Sequence, residues 1–295
     1  MSKPAIFTGA GVALITPMYP DGRINFEKYR ELIDFQIENG TDAIIAVGTT
    51  GEASTLDNDE HLEAIRVAVE HTNGRVPVIA GTGSNNTRQA IYMSTQSKAI
   101  GADGLLLVTP YYNKTSQRGL IEHYTAIASA VDLPMILYNV PTRTGLNLKP
   151  ETVTELYKLP QVNAIKQASS NFSETTVLAS MCDIPIYSGN DDLIVPLLSL
   201  GGKGVISVLS NVAPRAVHDL CAAWFAGNTE ESLRLQLEYL DLANALFTDV
   251  NPIPVKEALN LMGMEVGNCR LPLYEMAPDA KENLRKVLER YHLIK

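Results

Sequence analysis

Short apolar runs, bounded by glycine or proline, alternate along the chain with longer segments whose apolar residues recur at helical spacing. The runs fall at 11–16, 43–47, 77–80, 104–108, 134–138, 162–166, 184–188 and 204–208. They are continuously apolar rather than alternating, as in strands buried on both faces of a parallel sheet. Between them, Phe26, Tyr29, Ile33 and Ile37 share one helix face, as do Leu120, Tyr124, Ile127 and Val131. Asn25 and Thr87 stand where helices should start, and Pro150 and Pro214 suit first turns. Gly40 and Gly101 suit left-handed helix ends.

Strand–helix units of about 25 to 30 residues, repeated eight times, predict an α/β fold, a (β/α)8 TIM barrel over residues 1–227. A doubly wound open sheet is the rival, but it normally has fewer repeats and often a Gly-rich first crossover. Here the early glycines, Gly9 and Gly11, stand ahead of or at the start of the expected first strand rather than after it, and Gly81-Thr82-Gly83 lacks the third glycine of a dinucleotide fingerprint. Residues 228–295 carry no strand pattern and predict a C-terminal extension of three helices packed on the barrel. Leu233, Leu237 and Leu240 set the first apolar face, Val255, Leu259 and Met262 the second, and Leu284, Val287, Leu288 and Tyr291 the third. Nothing resembling a linker separates this extension from the barrel.

Composition narrows the function classes. The 295 residues are 45% hydrophobic, enough for a large core, and no apolar run nears the roughly 18 to 20 residues that span a bilayer. Residues 1–11 lack the regions of a secretory signal, so a soluble cytoplasmic protein is expected. A net charge of -9 argues against a nucleic-acid partner. Cys182, Cys221 and Cys269 are scattered without a C-x-x-C spacing, which suits reduced thiols, and Cys221 reads as a small buried hydrophobe. The five histidines are dispersed and H-E-x-x-H is absent, so no metal site is expected.

In such barrels the site lies at the C-terminal ends of the strands. There the chain places Gly48-Thr49-Thr50-Gly51-Glu52, Gly81-Thr82-Gly83, Thr109-Pro110-Tyr111-Tyr112-Asn113, Tyr138-Asn139-Val140-Pro141 and Ser188-Gly189-Asn190-Asp191. Lys166 is the anomaly, because it ends an apolar run in an interior strand, where an ammonium is costly to desolvate. A neutral amine there could attack a ketone and form a Schiff base; the plainer alternative is a lysine reaching out to solvent. Tyr138 ends the neighbouring strand at a comparable height, and Schiff-base chemistry needs an acid/base group beside the lysine. Thr49 and Tyr112 could relay protons to it, since hydroxyls both donate and accept. Arg143, in the loop after Pro141, is suited to grip a carboxylate.

Together with Ile165-Lys166, Gly201-Gly202-Lys203-Gly204-Val205-Ile206-Ser207 and Asn251-Pro252-Ile253-Pro254-Val255-Lys256, these motifs make the chain resemble the pyruvate-dependent lyases of the dihydrodipicolinate synthase/N-acetylneuraminate lyase family. The resemblance spans essentially the whole chain. Thr49-Thr50 and Arg143 resemble the synthase branch rather than the sugar-acid lyases. It implies that Lys166 condenses with pyruvate, and that the enamine attacks L-aspartate 4-semialdehyde, in lysine and diaminopimelate synthesis, without metal or organic cofactor. It further implies that Tyr138 is the general acid/base, with Thr49 and Tyr112 completing the relay and Tyr112 reaching into a neighbouring subunit. Thr50, Ile206 and Gly189 would hold pyruvate and Arg143 the semialdehyde carboxylate, in a homotetramer built as a dimer of dimers.

The family's lysine-inhibited members carry two histidines and a glutamate in an allosteric cleft. Of the positions corresponding to that cleft, Ala53, Asn58, His61, Asn85, Gln89 and Tyr111, the departures are Asn58 and Gln89, while His61, Asn85 and Tyr111 match. With Asn58 in place of a histidine and Gln89 in place of the glutamate, weak or absent lysine feedback is expected. Two other readings stay open: a sugar-acid aldolase of the same family, and a barrel that binds a small ligand without turnover.

Overall fold

The computed structural model describes residues 3–295; Met1 and Ser2, which open both the expected barrel segment and the stretch read for a signal, lie outside the described residues. Eight parallel strands close into a barrel in chain order: β1 (Gly9–Ala13), β2 (Ala43–Ala46), β3 (Val78–Gly81), β4 (Gly104–Val108), β5 (Met135–Asn139), β6 (Val162–Gln167), β7 (Ile186–Ser188) and β8 (Gly204–Ser207). Each predicted strand is present, and helices cover the outside. No helix among the described residues is long and apolar enough to cross a membrane.

One strand begins earlier than its apolar run. Gly9, ahead of the run that opens at Gly11, belongs to β1, because β1 closes the barrel against β8, with Gly9 opposite Gly204. A Cβ on Gly204 would fall 1.8 Å from the Gly9 carbonyl oxygen, and Gly204 also has a φ of +143°. Two strands meeting this closely leave room only for glycine. Hydropathy is silent about such positions.

Strand side chains divide into two apolar sets. Val12, Ile44, Leu105, Leu137 and Ile165 pack outward in the helix-facing core. Ala13, Ile45, Ile79, Leu106, Ile136, Tyr138, Ala164, Ala168 and Ile206 fill a separate inner cluster. Burial on both faces explains the unbroken apolar runs. Phe7 and Tyr187 stack at 4.3 Å in the inner cluster, and the Tyr187 hydroxyl donates to the Phe7 carbonyl at 2.6 Å. As Phe7 lies just before β1, this pair stops the N-terminal end of the barrel. Burial pushes the Tyr187 hydroxyl up to about 12.

The pairing of β5 with β6 contains an irregularity. Met135 stands opposite Val162, but Ile136 stands opposite Ala164, leaving Asn163 as an extra residue. One extra residue reverses the in–out alternation of everything after it. Val162 accordingly faces the helices, while Ala164 and Ala168 face the interior. Lys166 shares the phase of the latter pair.

The helices follow their sequence signals with two corrections. Asn25 caps Phe26–Glu38 by accepting from the Lys28 amide, but the helix Thr87–Ile100 is capped by Asn86, one residue before the expected Thr87. Residues 228–295 form four helices rather than three: Thr229–Glu238, Leu240–Ala245, Ile253–Leu261 and Pro278–Arg290. In the first of these Leu233 and Leu237 are exposed, contrary to expectation, whereas Ser232, Leu235 and Gln236 are buried. The buried face mixes Leu235 with two polar residues that serve neighbouring backbone: Ser232 donates to the Leu220 carbonyl, and Gln236 donates to that of Asp191. The other two predicted faces, around Val255 and Leu259 and around Leu284 and Leu288, are buried.

The C-terminal segment is tied to the barrel mouth by a buried ion pair. Lys256 Nζ donates to Glu52 at 2.8 Å, to the Thr16 carbonyl at 3.1 Å and to the Asn268 carbonyl at 2.7 Å. The second Glu52 oxygen accepts from the Arg270 amide at 2.9 Å. Both charges are therefore solvated by protein, which a buried pair requires. Lys256→Met should lower stability by about 3–5 kcal/mol by stranding the Glu52 carboxylate. Adding Glu52→Gln should restore much of the loss, and equal urea midpoints for the single and double variants would contradict this account.

Candidate active site

Lys166 is only 6% exposed, so it does not reach out to solvent. The shifted register places it opposite Tyr138 on β5 and Tyr187 on β7. Its Nζ lies 4.4 Å from the centre of the Tyr138 ring. A nucleophilic amine and a phenol hydroxyl are thus carried at one height by adjacent strands, inside the barrel and towards its C-terminal mouth.

Beyond β7, Asp191 is fully buried. One of its carboxylate oxygens accepts from the amides of Val208 at 3.0 Å and Leu209 at 2.9 Å. The other has no partner among the described residues. Burial raises its pKa, opposed by these bonds, by Ser207 and by the charge of Lys166. Sequence reasoning placed Asp191 in a strand-end motif without a role. The available signal was an acidic residue immediately beyond an interior strand.

Above the lysine opens a cavity of about 440 Å³ lined by Thr50, Tyr138, Arg143, Lys166, Gly189 and Asn251, among others. Arg143 sits in a short helix, Pro141–Thr144, where Pro141 supplies a preset first turn and Gly145 a left-handed end. Its guanidinium donates to the Asn251 carbonyl at 3.1 Å, and the Asn251 side-chain amide donates to the Thr50 hydroxyl at 3.0 Å. In the sequence Asn251 stands out only as the first residue of Asn251-Pro252-Ile253-Pro254-Val255-Lys256. Asn139, between Tyr138 and Val140, is buried and donates to Gln167 at 2.8 Å and Asn147 at 2.9 Å, holding the loop that follows.

Three of the sequence-derived residues do not line this cavity. Ile206 is buried in the inner cluster, and Thr49 lines a second cavity. Tyr112 is 92% exposed, at a φ of +66°, and touches neither cavity within one chain. A strained, exposed tyrosine in a loop is not a packing residue.

The second cavity, of about 380 Å³, gathers Ala53, Asn58, His61, Gln89 and Tyr111. Asn85 adjoins it by donating to the Tyr111 carbonyl at 3.2 Å. Gln89 donates to Asn58 at 2.5 Å, and His61 Nε2 lies 2.7 Å from the Gly81 carbonyl. Among the described residues, no acidic side chain lines this cavity. It shares Tyr138, Val140 and Arg143 with the first, so the two cavities are separated by one wall of side chains.

A closed parallel barrel with a buried amine, a phenol and a guanidinium at its C-terminal mouth defines a TIM-barrel lyase. The chain belongs to the dihydrodipicolinate synthetase family, whose model matches residues 6–291. It is 60% identical over 275 residues to a 4-hydroxy-tetrahydrodipicolinate synthase of Lachnoclostridium phytofermentans, covering 92% of this chain and 94% of that protein. The corresponding protein of Acetivibrio thermocellus is 54% identical over 296 residues, covering all of both chains. Among solved structures, the chloride-inhibited dihydrodipicolinate synthase of Acinetobacter baumannii in complex with pyruvate superposes with a TM-score of 0.95 at 44% identity, covering 97% of this chain and 99% of that one.

Burial lowers the pKa of His61, outweighing the hydrogen bond to Gly81. A histidine whose pKa falls on folding adds stability near neutrality that is lost as pH drops below the unfolded value of about 6.5. The His61 ring should therefore titrate below the ordinary histidine value. An NMR titration midpoint at or above the ordinary histidine value would refute this.

Proposed function

We propose that the chain condenses pyruvate with L-aspartate 4-semialdehyde to give 4-hydroxy-tetrahydrodipicolinate, the reaction for which its relatives are named. The observation that carries this is the placement of Lys166 beneath the Tyr138 ring, in a cavity that also holds Arg143 and Thr50. Family membership favours this reading over a ligand-binding barrel, and the synthase names of the relatives favour it over a sugar-acid lyase.

In this reading the Lys166 amine attacks C2 of pyruvate, and the resulting carbinolamine loses its hydroxyl as water to form an imine. Loss of a proton from C3 gives an enamine, whose carbon attacks the semialdehyde's aldehyde carbon. The oxygen formed there takes up a proton. The substrate's own amine then displaces Lys166 at C2, closing the six-membered ring and freeing the lysine. Tyr138 is placed to give and take these protons, work that contributes about 10²–10⁴-fold in such sites. Thr50 holds the pyruvate carboxylate with Gly189 and Ile206 nearby, and Arg143 grips the semialdehyde carboxylate. The covalent imine is itself the electron sink, so the reaction calls for no metal or organic cofactor.

The exposed Tyr112 supports a further step in the same reading. Together with Thr49 it completes the proton relay only when a second copy inserts it, so the working unit is a homo-oligomer, a tetramer built as two dimers. The cytoplasm is the proposed location, consistent with three free cysteines.

Incubation with pyruvate and borohydride should leave a reduced adduct on Lys166, located by peptide mass; an unlabelled Lys166, beside a labelled control enzyme, would sink the proposal. Untreated enzyme supplied with pyruvate should turn over L-aspartate 4-semialdehyde, and the same enzyme should not cleave N-acetylneuraminate when the two are compared as substrates. The cavity around His61 offers no carboxylate to an ammonium group. Lysine, at concentrations that saturate a lysine-sensitive enzyme, should accordingly leave the rate unchanged. Cooperative inhibition would show that this cavity recognises it by other means.

A further inference from the structure

Asn251 stands between the two groups assigned to the two substrate carboxylates. It is 6% exposed and lines the cavity. Its side-chain amide donates to Thr50 Oγ1 at 3.0 Å, while its backbone carbonyl accepts from Arg143 Nη2 at 3.1 Å. Its side-chain oxygen has no partner among the described residues. The residue opens the segment that the Lys256–Glu52 ion pair anchors, and Thr50 lies two residues before Glu52. Both ends of the Asn251–Thr50 bond are therefore held by one buried clamp.

A hydroxyl can donate only one proton but accepts readily. With the Asn251 amide occupying an acceptor position of Thr50 Oγ1, the Thr50 proton is left to point elsewhere. For a carboxylate, which only accepts, that is the needed polarity. An acceptor in place of this amide would draw the Thr50 proton back into the protein and present lone pairs to the incoming anion.

We propose that Asn251 is a positioning residue that sets the direction of the Thr50 hydroxyl proton, and so selects for the pyruvate carboxylate through its side chain while supporting Arg143 through its backbone. The inference rests on the function proposed above. It separates the two substrates: changing the side chain alters the pyruvate step and leaves the Arg143 contact, which uses only the main chain, in place.

The test is steady-state kinetics with both substrates varied, on the full-length chain. Asn251→Asp, which can only accept, should raise KM for pyruvate by roughly tenfold to a hundredfold, the worth of a hydrogen bond to a charged group, with the larger end reflecting added charge repulsion. The near-isosteric Asn251→Leu should raise it less, and KM for the semialdehyde should move by no more than about threefold in either variant. In a Thr50→Val background, which has no hydroxyl to orient, Asn251→Leu should add nothing further, a coupling that a merely structural role would not produce. If either variant fails to fold, by circular dichroism, Asn251→Ala carries the same comparison, since it keeps the backbone carbonyl. Equal rises for both substrates, additive effects with Thr50→Val, or no change in KM for pyruvate would each overturn the assignment. Borohydride trapping of pyruvate on the unaltered chain separates the two failures: if Lys166 is labelled but the substrate split is missing, only the role of Asn251 falls.

Discussion

The site depends on the pairing of β5 with β6. These strands are parallel, and their first contact, Met135 to Val162, would continue one residue at a time to leave Tyr138 opposite Ile165. The extra residue at Asn163 moves the register on by one, bringing Lys166 opposite Tyr138 and turning it inward. Without that step the lysine would face the helices, in a position otherwise filled by branched aliphatic side chains. A charged side chain there would have neither the cavity nor the phenol. The bulge costs a local irregularity in the ladder and supplies the alignment of Lys166 with Tyr138.

The second dependence runs through the C-terminal helices. Lys256 and Asn251 belong to residues 228–295, yet they hold Glu52, Thr50 and Arg143, which belong to the barrel loops. The extension is therefore part of the mouth of the barrel, and a boundary drawn at residue 227 separates segments of sequence rather than units of function. The same economy explains why the face around Ser232 and Gln236 is polar. Those side chains bond to backbone carbonyls of Leu220 and Asp191.

The architecture was legible in the sequence because both faces of each strand are apolar, and eight such runs at barrel spacing leave little else to build. Lys166, Tyr138 and Arg143 were legible for a related reason: polar groups at the ends of apolar strands stand out. Other features were hidden by physics that hydropathy does not register. The glycines of β1 are strand residues because of a close approach between strands, and Leu233 is exposed because hydrogen bonding outweighed apolar area on its helix. Asn163 carries no outward sign of a bulge. Asn251 looks like any turn asparagine until its two bonds are seen, and Tyr112 lines neither cavity within one chain.

The stacked pair of Phe7 and Tyr187 has a consequence for access. With the N-terminal end filled by these two rings, any molecule that reaches Lys166 enters and leaves through the C-terminal mouth, in the cavity that Arg143 also lines. One opening serves as both entrance and exit.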